Sequence, residues 1–143
     1  MKTLATLIAT ALLSFITQFV KAEEKSEPVK FLKVENIIDH YLDATLHGNV
    51  DLVNHLFTSD FYQSTPNNRS KESINRKSLI KYLKSLEGIQ VDCKSSYQFV
   101  EKNENCSIVR IKTQFKTFER NDYVTICNGD DGWKISSVVV TYP

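Results

Sequence analysis

Tyr41 is the residue through which chemistry could enter this chain. In "DHYLDATLHGNVDLVNHLF", residues 39 to 57, it takes a place in a stripe of aliphatic side chains. A phenol there either packs, with its hydroxyl satisfied locally, or presents that hydroxyl to a pocket. Three histidines invite an acid–base or metal reading. His40 and His47 are seven residues apart, two helical turns and roughly 10 Å of rise, too far to share one ion without another element between them. His40 falls on a polar face, His47 at a helix C-terminus where positive charge is welcome, and His55 on an exposed side. All three read as surface histidines, and no metal is expected. Cys93, Cys106 and Cys127 form no C-x-x-C and have no histidine beside them, so nothing marks a metal site or a thiol activated by a nearby base. No phosphate-cradling glycine loop, serine elbow or clearly spaced carboxylate pair is present. No catalytic set and no cofactor emerge.

The beginning of the chain reads as a targeting segment. Lys2, the apolar run Leu4 to Val20, and Val20-Lys21-Ala22 make the pattern of a secretory signal peptide over residues 1–22, cut after Ala22. The run contains Thr6, Thr10, Ser14, Thr17 and Gln18, short and polar beside the roughly 20 apolar residues of a membrane span. The expectation is an exported protein, periplasmic or secreted, with no stable membrane span after processing. Without Lys2 and Lys21, 16 of the 18 basic residues face 17 acidic ones. That balance argues against nucleic acid, which demands a basic surplus on one face.

Residues 23–33 open with the charged "EEKSEPVK" and read as a flexible leader. Residues 34–143 are long enough for one domain and one core. Val34, Ile37, Ile38, Tyr41, Leu42 and Thr45 recur at helical spacing, and Gly48 ends that helix. Asn49 can cap a short second helix with Val50, Val53, Leu56 and Phe57 inward. Phe61 to Thr65 reads as a short strand, followed by the turn Pro66-Asn67-Asn68. A third helix is expected over Arg76 to Glu87, with Leu79, Ile80, Leu83 and Leu86 inward. From Ile89 the period becomes two: Val91, Cys93, Tyr97 and Phe99, then Val109, Ile111, Thr113 and Phe115, then "DYVTIC" and "WKISSVVVTY" about the loop Asn128 to Gly132. Three cysteines leave at least one outside any internal pair. This strand alignment sets no two of them opposite each other, so small buried or half-buried thiols are expected.

Helices first and a curved antiparallel meander second is an α+β arrangement whose bent sheet encloses a space. The segment "IIDHYLDATLHGNVDLVNHLFTSDF", with the later "NDYVTI" and "GDDGWKI", resembles the nuclear transport factor 2-like superfamily. That superfamily includes ketosteroid isomerase, SnoaL-like cyclases and the "putative lumazine-binding" proteins. The resemblance covers about residues 34 to 142 and implies a cone: a curved antiparallel sheet wrapped around three N-terminal helices. It places Tyr41 where the isomerases keep the tyrosine that donates to a developing oxyanion. Asp122 falls near their second donor, an acid held protonated. Their general base corresponds to Thr65, whose hydroxyl cannot act as a carboxylate. Asp60 falls at the turn after the second helix, where it would accept local backbone hydrogen bonds.

The expected function is therefore non-catalytic binding of a small apolar or aromatic ligand in the cone. Phe57, Tyr97, Phe115 and Trp133 would form the walls, with Tyr41 and Asp122 as polar contacts. The alternatives are an isomerase, dehydratase or cyclase using Tyr41 and Asp122, and a structural module that forms a homodimer through the outer face of its sheet, as relatives of this fold do.

Overall fold

The computed structural model describes residues 29–66 and 72–143. The expected signal peptide, most of the leader and the end of the expected turn at Asn67-Asn68 lie outside those residues. Helix α1, Val34–Leu46, buries Val34, Ile37, Ile38, Tyr41 and Ala44 on one side. It stops where Gly48 takes φ 68° and where a Cβ would lie 2.6 Å from the Ile89 nitrogen. That close approach docks the end of α1 onto the segment leaving the next helix. The expected second helix is only a 3₁₀ turn, Val53–His55. Phe57 has already entered strand β1, Phe57–Ser64, and Asp60 lies exposed within that strand rather than in a turn.

Strand β2, Ile74–Asn75, leads into α2, Arg76–Ser85, where the Asn75 side chain accepts from the Ser78 backbone N–H at 2.9 Å. This is a regular N-cap, and Leu79, Ile80 and Leu83 then form the buried side. Four long strands follow: β3, Lys94–Lys102; β4, Cys106–Gln114; β5, Glu119–Gly129; and β6, Gly132–Thr141. Val91 and Cys93, expected in a strand, precede β3.

The sheet runs β2-β1-β6-β5-β4-β3. It is antiparallel except that β1 pairs with β6 in parallel, a crossover that local alternation cannot announce. Register shifts in the β1/β6, β3/β4 and β5/β6 pairings bend the strands, since an extra residue on one side of a ladder raises local twist. The result is an α+β cone with two helices rather than three, α1 lying over β6 and α2 over β1. Between helices and sheet Ile37, Leu56, Val109, Ile126 and Ile135 are fully buried, each worth about 1.5–3 kcal/mol of transfer free energy. Phe31, assigned to the leader from sequence, is also core at 5% exposure. Its carbonyl accepts from the Trp133 N–H at 3.0 Å.

The cysteine expectation is overturned. Cys106 and Cys127 stand directly opposite on β4 and β5, with Cα atoms 4.1 Å apart, and form a disulfide. The four-residue turn Phe115 to Phe118 between the strands sets that register. Cys93 is a free, half-buried thiol, pushed up from the usual thiol range by burial and by Asp92.

Candidate functional site

On β5, alternation sends Asp122, Val124 and Ile126 inward, and Arg120 is on the same face two residues before Asp122. The Asp122 carboxylate meets Tyr41, carried by the buried side of α1. The Tyr41 hydroxyl donates to Asp122 Oδ2 at 3.1 Å. Arg120 donates through Nε to Oδ1 at 2.6 Å and through Nη2 to Oδ2 at 2.8 Å. Three donors thus converge on one buried carboxylate, which satisfies a charge that burial alone would penalise by several kcal/mol. Burial and the Asp122 charge push the Tyr41 hydroxyl well above the usual phenol range. For Arg120, burial works against the charge, but Tyr41 and Asp122 outweigh it and the guanidinium is held charged.

The cluster stands behind a cavity of about 350 Å³. Leu79, Tyr82, Leu83 and Leu86 of α2 and the segment after it form one wall, Tyr41 and Thr45 of α1 another, and Gln63 of β1 and Arg120 close the rest. The Thr45 hydroxyl donates to the Tyr41 carbonyl at 2.7 Å and so is already engaged. A second, more open groove of about 490 Å³ lies beside the β5–β6 hairpin. Its walls mix Arg76 and Lys134 with Asp130 and Asp131, and Arg76 is committed to the Asn54 and Phe57 carbonyls. The smaller cavity is therefore the site in which apolar walls and a preorganised charge coincide.

Of the six residues the sequence suggested, the structure brings Tyr41 and Asp122 into contact. Phe57 stands edge-on to Tyr41 at 6.4 Å and tilted against Phe61 at 4.6 Å, deep in the core rather than on the cavity wall. Trp133 fills the core beside Phe31. Phe115 lies in the turn between β4 and β5, stacked on Phe118 at 4.5 Å. Tyr97 is 40% exposed on β3. Asp122, which resemblance casts as a protonated donor, instead accepts from three donors. Arg120 is the residue sequence reasoning missed, although its i, i+2 spacing to Asp122 on a strand was the available signal. His40 tilts against Phe31 at 5.4 Å and His47 contacts Asp43 at 3.2 Å. Among the described residues no three His, Cys, Asp or Glu side chains gather in a way that could hold a metal ion.

Solved structures share this architecture. A nuclear transport factor 2-like protein of unknown function from Silicibacter pomeroyi is 14% identical with a TM-score of 0.61, covering 76% of this chain and 92% of its own. A nuclear transport factor 2-like protein from Cytophaga hutchinsonii is 15% identical with a TM-score of 0.61, covering 77% of this chain and 95% of its own. A ketosteroid isomerase-like protein from Erwinia carotovora atroseptica is 15% identical with a TM-score of 0.57, covering 76% and 92%. At such identities these similarities show the fold, a nuclear transport factor 2-like cone. No curated protein matches this chain. The family model described as "Putative lumazine-binding" matches residues 29–140, and the chain belongs to that family.

Proposed function

We infer that this domain binds a small apolar or aromatic ligand in the cavity between α1, α2 and β5 without transforming it. The observation that carries the reading is the cavity of about 350 Å³ with an aliphatic wall, whose neighbouring Tyr41 proton is already donated to Asp122. An isomerase-type reaction needs a free donor for the developing oxyanion and a base for the substrate proton. Tyr41 spends its one proton inside the protein, Asp122 accepts three hydrogen bonds, and Thr65 offers no carboxylate. The family description adds a flat heteroaromatic, lumazine, to the ligands worth testing. The Cys106–Cys127 bridge supports export, because oxidising compartments are where such bonds persist. With the amino-terminal apolar run it favours a periplasmic or secreted protein.

Thermal unfolding with lumazine and with the neutral aromatic 2-naphthylmethanol tests the reading. A ligand at a hundred times its Kd stabilises by about 2.7 kcal/mol, so at least one should raise the Tm of the wild type. Ser78→Trp, an exposed residue at the cavity wall, should abolish that rise while leaving the ligand-free Tm nearly unchanged. No rise with either compound, or an equal rise in the variant, would sink the assignment.

A further inference from the structure

Arg120 carries more hydrogen-bonding capacity than Asp122 uses. Nε and Nη2 occupy one edge of the guanidinium against the carboxylate. A guanidinium presents five N–H donors in a rigid fork, so the two on Nη1 and the second on Nη2 remain, forming another edge. Among the described residues Nη1 has no acceptor. The buried polar atoms without a partner are on Thr58, Ser107 and Arg110, not on Arg120, so Nη1 reaches open space. Arg120 is one of the residues that line the cavity.

Three features fix what that edge would recognise. Asp122 holds the guanidinium plane, and Tyr41 holds Asp122, so little side-chain freedom is lost when a ligand arrives. Among the described residues no carboxylate lines the cavity to compete for the edge. The Arg120 charge is balanced by Asp122 once, so the pocket offers donors and a modest field, suited to one negative charge spread over two oxygens rather than to a dianion. The volume of about 350 Å³ corresponds to roughly a dozen non-hydrogen atoms, at about 30 Å³ for each water-sized group.

We propose that the ligand is a small monocarboxylate whose carboxylate pairs in a two-point fashion with the free edge of Arg120, its ring or short apolar body lying along Leu79, Tyr82, Leu83 and Leu86. This rests on the cavity-binding reading and adds the head group to it. Arg120 is then the specificity-determining contact, while Tyr41 and Asp122 act through it by positioning.

Calorimetric titration with 2-naphthoate and 2-naphthylmethanol, the same ring with and without the carboxylate, tests the proposal. The wild type should bind 2-naphthoate more tightly by roughly tenfold to a hundredfold, as expected for charge-assisted hydrogen bonds. The double variant Arg120→Gln, Asp122→Asn removes both charges together and strands neither. It should bring the two compounds to the same affinity, with circular dichroism confirming the fold. Arg120→Lys keeps the charge without the fork and should lose most of the preference. Equal affinities in the wild type, with both compounds bound, would overturn the carboxylate assignment and leave the cavity-binding reading intact. A preference that persists in the double variant or in Arg120→Lys would overturn it as well. Binding of neither compound would overturn the carboxylate assignment, and the cavity-binding reading with it if lumazine too leaves the Tm unchanged.

Discussion

Asp122 and Tyr97 occupy the same inner face of the sheet with only Ile111 between them, since Tyr97 pairs with Ile111 and Ile111 with Asp122. Their exposures invert what residue type suggests: the carboxylate is 5% exposed and the aromatic 40%. The cause is cover. α1 lies over β6 and α2 over β1, so the Asp122 end of the row is roofed. Beyond its ladder with β4, the β3 end meets the rest of the described domain mainly through Phe99 and the Lys102–Glu35 pair at 2.6 Å. Alternation along a strand decides which face a side chain takes, but the helices overhead decide how deep it goes. A charge can live under the roof because three donors meet it there.

Substitutions along that row test the contrast, and Asp122→Ala should cost most. It leaves the Arg120 guanidinium uncompensated and the Tyr41 hydroxyl without an acceptor, a loss of about 3–5 kcal/mol in urea unfolding. A loss below about 1 kcal/mol would mean that the roofed end is as wet as the β3 end. Tyr41→Phe should cost less, about 1–2 kcal/mol, because Asp122 keeps Arg120. It should also change the response to alkali. The unfolded phenol ionises near pH 10, while the folded one is held neutral to higher pH by burial and Asp122. The stabilisation is thus fully present below about pH 10 and is lost as pH rises toward the folded value. Wild-type stability should therefore fall more steeply above pH 10 than that of Tyr41→Phe, and parallel curves would contradict the buried hydroxyl. Tyr97→Ser should matter least, within about 0.5 kcal/mol. A loss above about 2 kcal/mol would show that something covers β3 in solution, with a second copy of the chain the first thing to look for by light scattering.

Much of this arrangement was legible because it depends on local period. The α1 stripe from Val34 to Tyr41, the α2 face of Leu79, Ile80 and Leu83, and the alternation through β4, β5 and β6 follow from side-chain spacing alone. The rest depends on contacts between distant segments. Val50 to Phe57 carries apolar residues compatible with a helix, yet Phe57 is drawn into β1 by its pairing with Ile135 on β6, a partner far along the chain. Cys106 meets Cys127 only because the turn is centred between Lys116 and Thr117, and a register read from alternation is uncertain by the length of its turn. At the site, Tyr41 was visible as an odd residue in an aliphatic stripe. The walls proposed from aromatic content, Tyr97, Phe115 and Trp133, were misplaced because composition says nothing about cover. Arg120 was masked by standing beside Glu119 and Asn121, where a charged stretch reads as surface.

The disulfide has a topological consequence. It joins the first residue of β4 to a residue near the end of β5, at a sequence separation of 21, while the Phe115–Phe118 turn closes the other end. The two strands are thereby a covalent loop, tied at both ends, and neither can fray away from its neighbour. A protease that cut the chain once between Cys106 and Cys127 would release nothing. The severed halves would stay tethered until a reductant reached the bridge, and Asp122 would keep its place against Tyr41 through the cut.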